Sequence, residues 1–412
     1  MHRRCSASVL ITVTALVASS TVSAFSLSDV DVNGFVSGIY SSGSRGLDDE
    51  RNLTPLHLTG KLTVHPLDAW VLFADVRYLS DDHTPYGNSV REAYAEYQDD
   101  RFRVRIGKQI ISWGRADRFN PTDNLTPRNY QILSADYDDQ RFGTVGLNVI
   151  AYLPSDLSLS AIALPGFTSS KIPVGFLPAN IDVVQPHEGY TFNDSQWGLK
   201  LDRSAQGLDW SLSHYQGWSL LPELALVPAG LVLRNSRIRA TGADFAAGFN
   251  GWGLRGEAAK VEFERPTDGS LYPHSYLYIV LGIEFASWQS ATLNIQWLHR
   301  RIDDFQDPRQ TLGPLAQVAL ANAAIHDQFD QEQNGIVVRL SRQWRNDTIR
   351  AEFAAAKFFE HDDYVLRPKI EYAINDSWRA VLMADVYRGP QDSFLGSLRK
   401  NSLTYTELRY QF

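Results

Sequence analysis

A period of two runs through this chain. From residue 29 to residue 412 the sequence breaks into segments of about ten residues in which apolar and polar side chains alternate. Such alternation marks a strand with one apolar and one polar face. It predicts eighteen strands, the first near 29–41 and the last near 401–412, or sixteen if 157–164 or 347–358 is not a strand. The connections are as informative as the strands. Every second one is short and rich in turn residues: HPLD at 65–68, DD at 99–100, PSD at 154–156, SAQG at 204–207, FNG at 249–251, SWQS at 287–290, RND at 345–347 and INDS at 374–377. Those between are mostly longer, at 42–52, 81–87, 112–141, 165–191, 218–232, 265–273, 302–332 and 389–400, with a short one at 359–362. Tight turns on one rim and long loops on the other describe an all-β fold, a transmembrane antiparallel β-barrel with periplasmic turns and extracellular loops.

Composition fits that architecture. Aromatic residues reach 12% while the formal charge is −8, and no later segment approaches the roughly 20 apolar residues of a membrane-spanning helix. Trp70, Trp210, Trp252, Trp288, Trp344 and Trp378 all lie in or beside a short turn. Indoles favour the membrane–water boundary, so these six read as the periplasmic girdle of the barrel. The negative net charge argues against nucleic acid as a partner.

The first residues read as an export signal. Arg3 and Arg4 precede the apolar run VLITVTALV (9–17), and Val22-Ser23-Ala24 satisfies the small-residue rule for cleavage. The expected organisation is therefore a signal peptide over 1–24 and a barrel over 25–412. Cys5 precedes the apolar run, so the mature chain has no cysteine, and disulfides, thiolate metal sites and cysteine nucleophiles are excluded. No cofactor or metal site is indicated.

Alternation also assigns faces. In RFRVRIG (101–107), Phe102, Val104 and Ile106 alternate with Arg101, Arg103 and Arg105. A charge facing lipid at mid-bilayer costs about 2–4 kcal/mol, so the three arginines are expected to line the lumen. The same reasoning places Arg237, Arg239, Arg367 and Lys369 inside, together with Glu371, Glu407 and Arg409. A ladder of guanidinium groups in a confined lumen attracts anions, though each charge could equally pair with a neighbour and fill space.

The connection 112–141 is too long to be a simple link. Trp113, Phe119, Tyr130, Ile132, Leu133 and Tyr137 give it a small core, and Asn120-Pro121-Thr122-Asp123 and Thr126-Pro127-Arg128 are turn signals. It is expected to fold as a constriction loop carrying Trp113, Arg115, Asp117, Arg118, Asp123, Arg128, Asp136, Asp138 and Asp139. Its aspartates would then face the arginine ladder across a transverse field. A second insertion, 302–332, contains one helical pattern with an apolar stripe of Leu312, Leu315, Val318, Leu320, Ala324 and Ile325. It could cap the mouth, plug the lumen or pack on a neighbouring loop.

Four resemblances accompany these features. The terminal LTYTELRYQF (403–412) resembles the last strand of Gram-negative outer-membrane proteins, whose final Phe, here Phe412, is read by the outer-membrane assembly machinery. A folded third extracellular loop resembles the porin pattern, in which that loop narrows the lumen. VRIGKQIISWGRADRFNPTD (104–123) is similar to stretches of porin-like outer-membrane proteins, and the strand number and charge-dense lumen look like the alginate-export type of barrel. These likenesses imply an outer-membrane location, lipid and lipopolysaccharide as surroundings, and a channel for polar or anionic solutes or a polysaccharide. Two alternatives are an outer-membrane enzyme of the lipase or protease type and an uptake channel for hydrophobic compounds. The nine mature histidines sit in no recognisable catalytic motif, and no plug domain precedes the first strand.

Overall fold

The computed structural model describes residues 29–43, 52–53, 55–80, 89–132, 134–172, 194–227, 230–264, 273–286, 290–390 and 393–412. The expected signal peptide, Leu133 and Trp288 lie outside the described residues. Eighteen strands form the barrel wall: β1 (Val30–Gly43), β2 (Leu56–Leu67), β3 (Trp70–Leu79), β4 (Ser89–Gln98), β5 (Phe102–Gln109), β6 (Thr144–Leu153), β7 (Leu157–Leu164), β8 (Gln196–Arg203) and β9 (Leu208–Trp218). The second half comprises β10 (Arg237–Phe249), β11 (Trp252–Phe263), β12 (Tyr276–Ala286), β13 (Ala291–Ile302), β14 (Glu332–Trp344), β15 (Ile349–Phe358), β16 (Tyr364–Ala373), β17 (Trp378–Arg388) and β18 (Leu403–Gln411).

Each strand pairs antiparallel with its neighbours in sequence. β1 also pairs with β18, from Phe35 opposite Gln411 to Gly43 opposite Leu403, and this closes the barrel. Closure removes the free sheet edges that hydrocarbon would leave unsatisfied. Both strands that the sequence left open, 157–164 and 347–358, are present as β7 and β15. The tight turns follow from local chemistry. At FNG, Asn250 and Gly251 both take positive φ, as a two-residue hairpin in the twist-compatible form requires.

The wall has the two faces that alternation demands. On β14, Ile336 and Leu340 are exposed on the outside, while Gln333 and Val337, of the opposite parity, are buried inside. β18 repeats the pattern, with Leu408, Tyr410 and Phe412 outward and Tyr405 and Glu407 buried inward. At the tight-turn rim Trp70, Trp252, Trp344 and Trp378 are exposed on the outer face. Three of them meet an aromatic ring on the adjacent strand: Tyr97 at 5.3 Å, Phe285 at 4.7 Å and Tyr410 at 5.1 Å. That belt is the girdle expected from the sequence.

Above the long-loop rim, α1 (Ala316–His326) packs on a two-stranded ribbon formed by Glu223–Val227 and Gly230–Arg234. Its buried face is Val318, Ala319, Ala321, Asn322, Ala323 and His326, which corrects the stripe expected from the sequence. Leu312 and Leu320 are exposed. The reason is a polar anchor that an apolar count cannot see. Buried Asn322 accepts from the Leu224 N–H at 2.7 Å and donates to its carbonyl at 2.9 Å, and this fixes which side of the helix faces the ribbon.

Candidate functional site

The segment between β5 and β6, residues 110–143, folds into the barrel and is pinned to the wall on several sides. Its start is held by apolar packing. Ile111, Trp113 and Leu125 are buried with Ile162, Tyr215, Ile238 and Ala240 of the inner wall. Trp113 lies so close to β8 that a side-chain carbon added at Gly198 would come within 2.7 Å of its ring.

Beyond Trp113 the anchoring becomes polar, and Glu257 of β11 is its centre. This buried carboxylate accepts from the backbone N–H groups of Arg115 (3.0 Å), Ala116 (3.1 Å) and Thr122 (2.7 Å), and from the Thr122 hydroxyl (2.8 Å). Three amides converging on one carboxylate satisfy loop donors that would otherwise be buried without partners. The geometry requires glycine at 114. Its φ is +93°, and an added Cβ would lie 2.6 Å from the Glu257 oxygens.

Charged side chains of the segment then reach across to the wall. Arg115 pairs with Asp202 of β8 at 3.1 Å and with Asp244 of β10. Asp117 accepts from Arg339 Nε of β14 at 2.6 Å. Arg118 bonds Glu352 of β15 at 2.9 Å and lies over the Tyr137 ring at 4.6 Å. Arg367 of β16 stacks on Tyr137 at 4.0 Å while its guanidinium holds Asp385 of β17 at 2.6 Å. On the side of the wall formed by β3 and β4, Arg77 pairs with Asp139 at 3.2 Å, and Arg91 donates to the Arg141 and Asp138 carbonyls at 2.9 and 2.6 Å. A single segment thus touches β3 and β4 as well as the wall from β8 to β16, which it can do only by crossing the lumen.

The expected transverse field is corrected. Asp117 and Asp139 are neutralised by Arg339 and Arg77, not turned towards β5. Asp123 pairs with Arg141 and Arg128 (the latter at 4.0 Å), and Asp138 pairs with Arg141 at 3.1 Å, all within the segment. Asp136 caps a short turn by accepting from the Asp138 N–H at 3.0 Å, and Arg128 donates to the Tyr137 carbonyl at 3.2 Å. Pairing wins because a carboxylate in a narrow polar space gains more from an adjacent guanidinium than from a distant wall.

The arginine ladder is also redistributed. Arg101 sits in the periplasmic turn, its backbone N–H held by Asp99 at 2.8 Å. Arg105 pairs with Glu96 at 2.5 Å and stacks over Tyr94 at 4.1 Å. Arg103 is inward and has no ion pair among the described residues. Arg237 and Arg239 are corrected outright. They lie on the outer face, because Ile238 and Ala240 between them are the buried, inward residues of β10. Arg237 stacks on Trp218 at 4.2 Å, and Arg239 meets Glu264 at 3.5 Å. Both belong to the long-loop end of the strand, where the cost of a charge falls to about 0–1 kcal/mol, so the mid-bilayer argument does not reach them.

Arg367 and Lys369 do point inward, as alternation predicts, and so do Arg350, Arg379 and Arg409, which form with them a basic wall whose cross-strand arrangement alternation alone does not give. Lys369 pairs with Glu371 at 2.7 Å, Arg350 lies 3.7 Å from Glu352, and Arg409 pairs with Glu407 at 2.7 Å. Arg379 stands directly opposite Arg409 in the β17–β18 register. The available signal was strand-to-strand register, which one sequence does not display.

No protein-family model and no curated protein sequence matches the chain. Solved structures do match it. OccK11 (OpdR) of Pseudomonas aeruginosa aligns over 94% of this chain and 97% of its own, with 11% identity and a TM-score of 0.56. The P. aeruginosa outer membrane protein opdK aligns over 94% and 99%, with 10% identity and a TM-score of 0.59. OccD3 (OpdP) of the same organism aligns over 93% and 90%, with 12% identity and a TM-score of 0.56. At these identities the likeness establishes the fold, and the chain is a porin-type β-barrel of the bacterial outer membrane.

Proposed function

We propose that the chain is an outer-membrane channel for small polar solutes, with anions favoured over cations. The observation that carries this reading is the crossing segment 110–143, pinned by Glu257, Arg339 and Arg77. A passage narrowed by a held loop selects small solutes by size and charge. The preference for anions rests on the inward basic wall of Arg350, Lys369, Arg379 and Arg409, with Arg103 across from it. Arg379 and Arg409 stand opposite each other, each beside one glutamate, Glu371 at 3.8 Å and Glu407 at 2.7 Å, and two adjacent guanidinium groups retain donors that a passing anion can use.

Reversal potentials of the purified protein in planar bilayers under a salt gradient test the proposal. Anion-selective, discrete conductance steps are expected. Cation selectivity would refute the anion preference, and an absence of steps in correctly folded protein would refute the channel itself.

A further inference from the structure

The outer face of the long-loop rim is not uniform. Around β1 to β9 its outward positions are apolar or neutral in the main, such as Tyr40, Leu58, Tyr78, Leu147 and Trp197. From β10 to β17 cations are concentrated there: Arg237, Arg239, Lys260, Arg301, Lys357 and Arg388. The outward assignment follows from their buried neighbours, Ala259 and Val261 beside Lys260 and Ile302 beside Arg301. Two of these cations share one row of the sheet. Lys260 is opposite Leu277, Leu277 is opposite Arg301, and Arg301 is opposite Glu332. Two strand spacings separate Lys260 from Arg301, about 10 Å.

That row sits at a definite height. Four residues below Arg301, on the same face, Trp297 is exposed and stacks with His299 at 5.5 Å, and Ile336 and Leu281 of the apolar belt lie beside it. The cations therefore emerge where hydrocarbon ends and headgroups begin. Lys260 pairs with Asp303, both about 40% exposed, and Arg301 has no ion pair among the described residues. Exposed pairs of this kind are weak, worth at most about 1 kcal/mol, so a multiply charged anion can displace them.

We propose that the outer face of β10–β15 docks the phosphorylated glucosamine headgroup of lipopolysaccharide, with Lys260 and Arg301 holding phosphate. The occupant follows from the position. A surface directed outward at the long-loop end of an outer-membrane barrel meets the outer leaflet, whose anchoring lipid carries phosphate on sugar. The adjacent Glu262 and Glu332 suit sugar hydroxyls and the divalent cations that bridge such phosphates. A membrane anion without a sugar, such as phosphatidylglycerol, brings a single phosphate and no sugar ring to this array.

Native mass spectrometry of the full barrel, titrated with bisphosphorylated lipid A, tests this. Dephosphorylated lipid A and phosphatidylglycerol serve as comparison lipids, and retention of the heat-modifiable gel shift confirms that each variant is folded. Bisphosphorylated lipid A should bind at least tenfold more tightly than either comparison lipid. K260Q/R301Q should remove most of that preference, whereas R342Q, which neutralises an outward cation at the opposite rim, should leave it intact. Equal binding of phosphatidylglycerol, or a preference unchanged in K260Q/R301Q, would overturn the proposal.

Discussion

Arg339 on the wall strand β14 donates through Nε to the Asp117 carboxylate of the crossing segment at 2.6 Å, although 222 residues separate them in the chain. This contact, with Arg118–Glu352 beside it, holds the middle of the segment against one wall while Arg77–Asp139 holds its end against another. Removing Arg339 leaves Asp117 a half-buried charge without its counter-ion, and removing Asp117 leaves Arg339 only Glu352, at 3.7 Å; losing one partner is costlier than never having had the pair. R339Q and D117N should each loosen the segment, and the double variant should be less damaged than the sum of the two. A coupling of about 1–3 kcal/mol in a thermal double-mutant cycle is expected, and strict additivity would show that the pair is incidental.

Glu257 organises three backbone amides, so its loss differs in kind from the loss of a side-chain pair. E257A should expose the segment to protease between Gly114 and Thr122 while the barrel keeps its gel mobility. G114A should do the same by a separate route, forcing an L-residue to φ +93° against the Glu257 carboxylate. A cost of about 1–3 kcal/mol is expected. Protection equal to that of the unmodified protein in both variants would remove Glu257 as the anchor.

Selectivity should follow the corrected map of cations. R379Q/R409Q and R103Q should lower the anion-to-cation permeability ratio, since these side chains face the lumen. R237Q/R239Q should leave that ratio unchanged, because both arginines are outside the barrel. A shift of equal size in the outward variant would contradict the face assignment.

The α1 segment should respond to pH through two opposed groups. Burial depresses His326 to about 3, and its ring bonds the Pro222 carbonyl at 3.1 Å. Burial raises Asp327 to about 6, with Arg300 partly offsetting it. A histidine whose folded value is depressed contributes docking stability that is lost as pH falls below about 6.5. A carboxyl whose folded value is raised does the reverse, favouring the docked state as pH falls from about 6 to 4. The two offset in that window, so docking should be nearly independent of pH there. D327N removes the compensation and should make docking weaken by up to about 1.4 kcal/mol per unit on acidification. Hydrogen exchange of residues 316–326, corrected for intrinsic rates, reads this directly, and a flat profile in D327N would refute it.

Much of this was legible from alternation alone. The eighteen strands, the tight turns, the Trp girdle and the inward Glu407 and Arg409 are local properties, each decided by residues two apart. The folded loop was also legible, because Trp113, Tyr137 and the proline turns promise a core. What escaped was long-range pairing. Asp117 finds Arg339 and Arg115 finds Asp244 only when barrel register places those strands around the loop, and nothing local to Asp117 distinguishes Arg339 from Arg103. Arg237 and Arg239 misled for a related reason: alternation gives parity, and only the buried Ile238 says which parity is inward.

Residues 110–143 cross the lumen, and their position there sets what the barrel conducts. Single-channel conductance of a variant with residues 115–138 replaced by a short glycine–serine link tests it most directly. Conductance should rise well above that of the intact barrel, with reduced discrimination by solute size. An unchanged or smaller conductance in folded protein would place the segment outside the conducting path.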